Sequence, residues 1–366
     1  MSRDFARLKP AIKRWLETTL LVSNPIESIE ISIPTSAGVA NETWIVLARS
    51  QQGDETRFVF RLQGDEHLYP NPDISLQARV TREVVQSSQV PVPHILAFEQ
   101  DTTILGMSFL VMEWIAGQVP PDIPNLHQSG WMTELPASSC ERIWRDCVER
   151  MAQLHAMDAS NFRFLLNGEA SEEARPESTS SGLRSALRYW DNYSAWSAAR
   201  QLAIFAQASE WLSSNLPGNC PNAFSWGDAR LANVIIRDDR CAALLDWDLA
   251  SLAGPEADLA WWALADNKRT VAQGVSRLTG IGSPAQTISL WESLSGRRAH
   301  NMEWYLVFAA YRQALISFRL FDLAGSASAS PSEFLNSPGI GVQWLASLLN
   351  LELPVPLTMP FVGLET

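Results

Sequence analysis

The chain has 366 residues and a formal net charge of −12, with 46% apolar residues, 19% charged residues and 15 tryptophans. This length supports a large core and two lobes, whereas the negative charge disfavours nucleic acids and anionic membranes as general partners. Four cysteines without a CxxC pair favour reduced thiols over a zinc or disulfide framework. With no signal peptide and no run of eighteen apolar residues, we expect a cytoplasmic protein that does not bind membranes.

The first third of the chain is predicted to form a small, mostly antiparallel β-sheet behind an amphipathic N-terminal helix. β-Branched and alternating apolar residues predict strands at 28–34, 43–48, 57–62 and 108–114. A helix is predicted over 74–88, and the segment VPVP that follows favours an extended path, because proline restricts its own backbone and that of the residue before it.

Beyond the last of these strands the apolar spacing becomes helical. A helix is predicted over 138–157, with Ser138 and Glu141 forming a capping box at its start. Further amphipathic helices are predicted in 183–213 and 300–321.

Two segments of the C-terminal part of the chain lack helical or strand periodicity. Residues 169–182 and 324–333 are small, polar or acidic, and predict surface loops. The predicted fold class is therefore α+β and bilobal. A small antiparallel β N-lobe occupies 1–114, a larger and mostly helical C-lobe occupies 115–366, and a ligand cleft is expected between them.

The stretch SWGDARLANVIIRDDRCAALLDWD within the C-lobe predicts a β-hairpin. Its apolar runs VII and AALL are separated by an Asp-Asp pair that favours a two-residue turn. Continuing the register from this turn pairs Ile235 with Ala242 and places Asn233 opposite Leu244, two residues before Asp246. The hairpin thus places Asn233 and Asp246 at the same end, opposite its turn.

Asp228, five residues before Asn233, lies on the loop that enters this end of the hairpin. Taken singly, Asp228 and Asn233 are typical of turns and caps. Together with Asp246 they bring three oxygen donors to one place, where carboxylates repel one another unless a cation or an acceptor role compensates. Carboxylate and amide oxygens suit Mg²⁺. We therefore predict a magnesium site.

The pattern W-G-D-A-R-L-A-N, the hairpin ending in L-D-W-D and the stretch G-P-E-A-D-L-A-W-W resemble the phosphotransferase enzyme family of aminoglycoside phosphotransferases, choline kinases and homoserine kinases. The resemblance extends over 28–320 and is nearest to the branch related to the kinase-like domain of acyl-CoA dehydrogenase fusions. It implies a protein-kinase-like fold. It also implies that Asp228 is the catalytic residue that orients the acceptor hydroxyl and takes its proton, and that Asn233 and Asp246 hold Mg²⁺.

The resemblance gives expectations for the neighbouring residues. Asp248 either reaches a second metal ion or caps the following turn, and Trp247 packs behind the metal site. Asp258 is expected to brace the catalytic loop. Trp226 replaces the histidine of most relatives at a position that shapes this loop, and His155 is expected to be a packing residue.

The loop T-S-A-G-V-A-N lies between the first two predicted strands. It is either an ordinary hairpin loop or a phosphate-binding loop whose backbone N–H groups approach the nucleotide. Its continuation resembles the S-N-x-T ending of the family. On the second interpretation Gly38, Asn41 and Thr43 belong to the nucleotide site.

Arg61 stands on the third strand, where kinases place a lysine that contacts the α- and β-phosphates. The alternative is an exposed strand residue. The acidic partner expected from the family falls on Gln77, and Glu83 is another possible partner. The connector that includes Glu113 and Ile115 matches the interlobe hinge whose backbone receives the adenine edge.

These features predict an enzyme that moves the γ-phosphate of ATP or GTP to a hydroxyl of a small molecule, with Mg²⁺. The alternatives are a catalytically silent kinase-like module that binds a nucleotide or metabolite, and a metal-dependent hydrolase. Trp131, Trp190, Trp261 and Trp262 either line an apolar acceptor pocket or belong to the core. The mostly apolar C-terminus argues against cationic aminoglycosides and favours a less charged hydroxy compound, such as a hydroxy acid or its thioester.

Overall fold

The computed structural model describes residues 4–20, 24–34, 41–63, 68–70, 72–166, 180–324 and 331–365. Gly38 and the loop around it lie outside the described residues, as do 169–179 and 325–330 of the two predicted loops. In the described part of the chain, no helix combines the length and the apolarity needed to cross a membrane.

The described part of the N-lobe contains five antiparallel strands, namely β1 Ile26–Ser32, β2 Asn41–Ser50, β3 Glu55–Gln63, β4 Ile95–Glu99 and β5 Phe109–Glu113. They are ordered β1-β2-β3-β5-β4. The four predicted strands are confirmed, and β4 is an additional strand formed after the prolines. Every second residue is buried along β2 from Trp44 and along β3 from Phe58, as expected for a sheet with one covered face.

In the described residues of this lobe there are three helices, namely α1 Phe5–Thr19, α2 Ile74–Ser87 and α3 Thr102–Leu105. Helix α1 covers the apolar face of the sheet, where the Trp15 ring lies 5.9 Å from the Phe60 ring and 5.0 Å from the Phe109 ring. Helix α2 confirms the predicted helix. It begins after Asp73, whose side chain accepts a hydrogen bond from the backbone of Ser75.

The C-lobe contains eight described helices, namely α4 Ala137–His155, α5 Ser181–Trp196, α6 Ala203–Ser214, α7 Pro255–Arg269, α8 Pro284–Ser295, α9 Met302–Ala324, α10 Pro331–Phe334 and α11 Ile340–Leu349. The predicted helical segments are confirmed, but the end of the second predicted loop forms α10. The predicted capping box is wrong. Helix α4 is preceded by Pro136, which provides no side-chain cap, so Ser138 lies within the first turn.

The predicted hairpin is formed by β6 Val234–Arg237 and β7 Arg240–Leu244. Its turn residues Asp238 and Asp239 have φ values of 53° and 58°, which identifies the two-residue turn that matches strand twist. The predicted register is wrong beyond the turn. Ile235 pairs with Ala243 because Ala242 forms a bulge.

The bulge changes which residue faces Asn233. Leu244 pairs with Val234, and the backbone N–H of Leu245 donates to the carbonyl oxygen of Asn233 at 2.9 Å. Asp246 therefore comes directly after the residue that is bonded to Asn233. Asp246 itself adopts a φ of 67°, a conformation that aspartate tolerates better than most residues.

The hairpin also anchors the segment that leaves the sheet. Gln118 and Ile236 exchange two backbone hydrogen bonds of 2.8 Å. A Cβ at Gly117 would lie 2.6 Å from the carbonyl oxygen of Ile236, so only glycine fits this approach. The chain is thus a bilobal α+β protein. The division at 114/115 stays a prediction.

Candidate active site

Four hydrogen bonds hold the carboxylate of Asp228, the predicted catalytic residue. Nε1 of Trp261 donates to Oδ1 at 2.6 Å, and Nδ2 of Asn233 donates to Oδ2 at 2.6 Å. Nε of Arg230 lies 3.0 Å from both oxygens. Burial raises the pKa of Asp228, but the Arg230 charge and the donors Trp261 and Asn233 outweigh it and lower that pKa below its ordinary value. The result is an ionised, oriented carboxylate.

The backbone that carries Asp228 is braced by Asp258. This carboxylate, fully buried, accepts hydrogen bonds from the backbone N–H groups of Trp226 at 2.6 Å and Gly227 at 2.7 Å. The hydroxyl of Ser225 donates to it at 3.0 Å. These contacts are those of a residue that sets the loop, as the sequence predicts.

His155 completes this brace. The Nε1–H of Trp291 donates to its Nδ1 at 2.9 Å, and its Nε2 lies 2.9 Å from Asp258. An indole nitrogen only donates, so Nδ1 is the acceptor, and the Nε2–H group donates a hydrogen bond to the Asp258 carboxylate. The ring is buried and connects α4 with α7 and α8, which agrees with a packing role.

Across the cleft, Arg61 of β3 contacts two of the predicted metal ligands. Its Nη2 lies 2.9 Å from Oδ1 of Asp246 and 2.9 Å from Oδ2 of Asp248. Asn41 at the start of β2 donates its Nδ2 to the same oxygen of Asp248 at 2.9 Å. Thr43 pairs with Arg61 across the two strands, so both side chains stand on one face of the sheet. Asp248 therefore connects the lobes rather than capping a turn.

The charges in this cluster influence one another. Burial and the adjacent Asp246 outweigh the attraction of Arg61 and raise the pKa of Asp248 to about 7. Burial lowers the pKa of Arg61, but the two carboxylates outweigh it and raise that pKa above its ordinary value. One guanidinium nitrogen thus serves two carboxylates, and further positive charge here is favourable.

The donor set fits a magnesium ion that is also bound by phosphate oxygens. Among the described residues, no group of three His, Cys, Asp or Glu side chains is placed to hold a metal ion. Asn233 uses its amide nitrogen for Asp228, and its oxygen accepts no hydrogen bond from the part of the chain that is described. Mg²⁺ commonly takes only one or two protein carboxylates and completes its shell with substrate phosphates and water.

Arg61 also has an unused donor. Its Nε is buried and has no hydrogen-bond partner among the described residues, so a phosphate oxygen would satisfy it. Gln77 does not replace the missing acid, because no hydrogen bond joins it to Arg61 in the described chain and its buried Nε2 is likewise unpartnered. The alternative acid, Glu83, accepts a hydrogen bond from Ser87 instead. Asp246 and Asp248 therefore anchor Arg61, and the suggested Glu83 pairing is wrong.

The predicted hinge follows β5. The backbone N–H of Glu113 donates to His94 at 3.0 Å, and its side chain accepts from the His94 backbone at 3.1 Å. Ile115 makes no backbone hydrogen bond to any residue in the described ranges. Its N–H and C=O groups are therefore the ones available to a planar, hydrogen-bonding ligand.

Several site residues were not identified from the sequence. Arg230 contacts Asp228 and Asp122, and Asp122 in turn contacts Arg269 of α7. The position of Arg230, two residues after Asp228 in the motif, was the available signal. Arg312 of α9 donates to the carbonyl oxygen of Gly227 at 2.5 Å. No local pattern in α9 indicated that contact.

The four tryptophans considered for the acceptor pocket have different roles. Trp261 orients Asp228, and together with Trp190 it packs against the Arg312 guanidinium. Trp262 lines a separate cavity beside Arg230. Trp131 packs against the core and donates to a backbone carbonyl. Thus only Trp190 and Trp261 flank the region near Asp228.

Comparison with known proteins places this site in context. The model of the phosphotransferase enzyme family matches residues 33–292. Acyl-CoA dehydrogenase family member 11 of Homo sapiens is 27% identical over an alignment of 312 residues that covers 81% of this chain and 37% of that protein. The chain therefore spans little more than a third of this relative.

Solved structures confirm the predicted protein-kinase-like fold. A Ralstonia eutropha JMP134 protein, whose name proposes an aminoglycoside phosphotransferase, has a TM-score of 0.60 at 18% identity. The match covers 88% of this chain and 92% of the Ralstonia protein. The aminoglycoside phosphotransferase APH(4)-Ia, solved in a ternary complex with AMP-PNP and hygromycin B, has a TM-score of 0.52 at 14% identity. The match covers 86% of this chain and 94% of the APH(4)-Ia chain.

Proposed function

The chain belongs to the phosphotransferase enzyme family, and from this premise we propose that it moves the γ-phosphate of ATP or GTP to a hydroxyl of a small molecule. Family membership supports a small-molecule phosphotransferase. The nucleotide, the magnesium ion and the individual residue roles are proposed from the family resemblance together with the geometry of the site.

One observation carries the proposal most strongly. Arg61 of the N-lobe reaches Asp246 and Asp248 of the C-lobe, while Asn233, whose carbonyl is bonded to the residue before Asp246, holds Asp228. The side chains that we propose as the phosphate-binding cation, the metal-binding pair and the acceptor-orienting carboxylate are therefore linked by contacts across the cleft. A metal-dependent hydrolase would leave Arg61 without a role.

In the proposed reaction Asp228 orients the acceptor hydroxyl and receives its proton. Its lowered pKa makes it a weak base, which suits a phosphoryl transfer whose loose transition state requires mainly alignment and charge neutralisation. Arg61 contacts the α- and β-phosphates through the unused Nε. Asn233, Asp246 and Asp248 would hold Mg²⁺, which neutralises phosphate charge when bound.

The remaining nucleotide contacts are proposed from position. Asn41 and Thr43 stand beside Arg61 on the sheet face, and Gly38 is proposed to approach the phosphates through its backbone. Glu113 and Ile115 are proposed to receive the base at the end of β5. The expected partner is a small hydroxylated compound, and the cytoplasmic location stays a prediction.

Calorimetry tests the nucleotide half of this proposal. ATP and GTP are titrated with and without Mg²⁺ into the wild type, Asp246→Asn and the control Asp238→Asn. Asp238 lies in the exposed turn of the same hairpin with φ 53°. Asp238→Asn therefore makes the same substitution in the same hairpin but outside the proposed metal site. We expect Mg²⁺-dependent binding of one nucleotide, lost in Asp246→Asn and retained in Asp238→Asn.

Asp228→Asn tests the transfer half. This variant should bind the nucleotide normally but turn over at least about a hundredfold more slowly with a hydroxylated acceptor, because the oriented proton acceptor is lost. Wild-type turnover in Asp228→Asn would remove that residue from the mechanism. Failure of the wild type to bind either nucleotide would favour the silent binding module instead.

A further inference from the structure

A second cavity, of about 340 Å³, lies beside Arg230 on a different side of the C-lobe from the proposed nucleotide site. It is bounded by α7, by the segment that carries Leu126 and His127, and by the loop that follows Asp228. Asp228 itself is not among the described residues of its wall. Arg230 belongs to the wall and also binds Asp228, so a single side chain connects the cavity with the proposed catalytic carboxylate.

Two polar side chains of this wall, His127 and Arg269, are each only 8% exposed. Nδ1 of His127 accepts a hydrogen bond from the backbone N–H of Leu278 at 3.3 Å, so the proton of the ring is on Nε2. Within the described ranges, this Nε2–H group has no hydrogen-bond acceptor. A buried donor without an acceptor is costly, and an oxygen atom in the cavity would satisfy it.

The two arginines of the wall share one carboxylate. Arg230 and Arg269 both donate to Asp122, whose side chain is 38% exposed. Nε of Arg230 is bonded to Asp228, whereas its Nη2 has no partner in the part of the chain that is described. Two guanidinium groups and one imidazole N–H group thus surround the cavity. Such a set of donors suits an anion, and arginine in particular suits the planar carboxylate group.

The rest of the wall limits the kind of anion. Asp266 is the carboxylate among the described wall residues, and Arg277 binds both of its oxygens. Leu126, Trp262 and Ile281 are buried apolar residues of the same wall. A dianion such as phosphate would place its second charge against these apolar side chains, which costs free energy. A short carboxylate would instead place its oxygens at the donors and its hydrocarbon part against the apolar wall.

We propose that this cavity is a regulatory site for a short-chain monocarboxylate, which binds to Arg269, Arg230 and His127. The ligand competes with Asp122 for the two arginines. Because Arg230 also holds Asp228, occupancy of the cavity changes how firmly the proposed catalytic carboxylate is oriented. The ligand is an effector and not the acceptor of the phosphoryl group. Its influence on turnover rests on the proposed function, but its binding does not.

Calorimetry with propionate tests the chemical class of the ligand. Propionate, its neutral analogue propionamide and inorganic phosphate are titrated into the wild type at constant ionic strength. We expect propionate to bind about tenfold to a hundredfold more tightly than propionamide, the range for one charge-assisted hydrogen bond, and more tightly than phosphate. Equal affinities for propionate and propionamide, a preference for phosphate, or no binding of propionate would overturn the carboxylate assignment.

Variants locate the site. Arg269→Gln should weaken propionate binding at least about tenfold, because the guanidinium fork is lost. Arg150→Gln is the control, since Arg150 is also partly buried and paired with an acid, Asp146, but lies outside the cavity. Ala265→Leu fills the cavity without removing a charge and should abolish binding, which keeps the test valid if Arg269→Gln does not fold. Wild-type affinity in folded Ala265→Leu would contradict the proposed location.

The link to Asp228 is tested at equilibrium, without turnover. Asp122→Asn removes the competing carboxylate, and Asp228→Asn removes the other acid bound to Arg230. Each should tighten propionate binding about fivefold or more, because coupling through a shared partner is reciprocal. Asp238→Asn, in the exposed hairpin turn, is the control and should retain the wild-type affinity.

The outcomes separate this inference from the proposed function. Unchanged propionate affinity in Asp228→Asn would overturn the link between the cavity and the catalytic carboxylate. Failure of the wild type to bind either nucleotide would contradict the proposed function and would leave the propionate result standing.

Discussion

The indole nitrogen of Trp261 lies 2.6 Å from Oδ1 of Asp228, so a residue of α7 orients the carboxylate that we propose as catalytic. Because Trp261 occupies one lone pair of Oδ1, an acceptor hydroxyl can bind Asp228 only from the remaining directions. The interaction is therefore expected to contribute to alignment in the transition state more than to nucleotide binding.

Trp261→Phe should lower kcat about tenfold or more, because one hydrogen bond to a charged group is removed, while nucleotide affinity stays within twofold. Turnover with a hydroxylated acceptor and calorimetry with the nucleotide measure the two quantities. The control is Trp262→Phe, an equally buried neighbour that lines a different cavity. An equal decrease of kcat in both variants would indicate general damage to α7 and contradict the orienting role.

Arg61→Gln should reduce the free energy of unfolding by about 1–3 kcal/mol, because Asp246 and Asp248 lose the cation that separates them. Added Mg²⁺ should then raise the melting temperature more in this variant than in the wild type, since the ion supplies the missing charge. Arg57→Gln, on the same strand but exposed, is the control. A metal response no larger in Arg61→Gln than in Arg57→Gln would contradict the shared site.

Gly227→Ala should destabilise the protein by about 3 kcal/mol, the sum of a left-handed alanine and an overpacked site, and abolish turnover. Gly227 has a φ of +93°, and an added Cβ would lie 2.0 Å from the carbonyl oxygen of Leu249. Gly53→Ala separates the two effects, because Gly53 has a φ of +87° with no atom near the added Cβ. That control should lose only about 1–2 kcal/mol, the cost of a left-handed alanine. Denaturant titration measures both, and equal losses would show that the clash relaxes.

His127 should make the protein sensitive to acid. Burial lowers the pKa of His127 to about 4, with Asp266 opposing and Arg277 and Arg269 assisting this shift. The unfolded chain protonates this ring near pH 6.5, so it binds the proton before the folded protein does. The corresponding stability is complete above pH 6.5 and is lost as the pH falls towards 4.

His127→Asn should remove on the order of 1–2 kcal/mol of the stability difference between pH 7.5 and pH 5.0. The asparagine oxygen can replace Nδ1, which accepts from the Leu278 backbone at 3.3 Å. His94→Asn is the control, since His94 is exposed. The measurement is the urea midpoint of each variant at both pH values, and identical differences in all three proteins would contradict the prediction.

The sequence predicts those features that depend on residues close together in the chain, and it does not predict those that depend on contacts between distant residues. Strands β2 and β3 were predicted because their alternation reflects a single covered face. The Asp-Asp turn was predicted because its conformation depends on two residues. The register beyond that turn was not, because a bulge at Ala242 depends on what packs against the hairpin and not on side-chain period.

The same distinction applies to the site. The spacing of Asp228, Asn233 and Asp246 indicated a shared end of one hairpin, and the structure brings Asn233 to Asp228. The role of Arg61 stayed open in the sequence, because its partners Asp246 and Asp248 lie 185 and 187 residues away. Such a contact requires the two lobes to be packed against each other.

The sequence by itself determined the class of elements, the short turn and the presence of the family motifs, because propensity, period and local hydrogen bonding operate within a few residues. Only the tertiary structure decided that Trp261 orients Asp228, that Asp248 connects the lobes, and that Arg312 is buried beside Gly227 with an unused donor. These relationships arise from helix packing and from the balance between desolvation and charge, neither of which has a local sequence pattern.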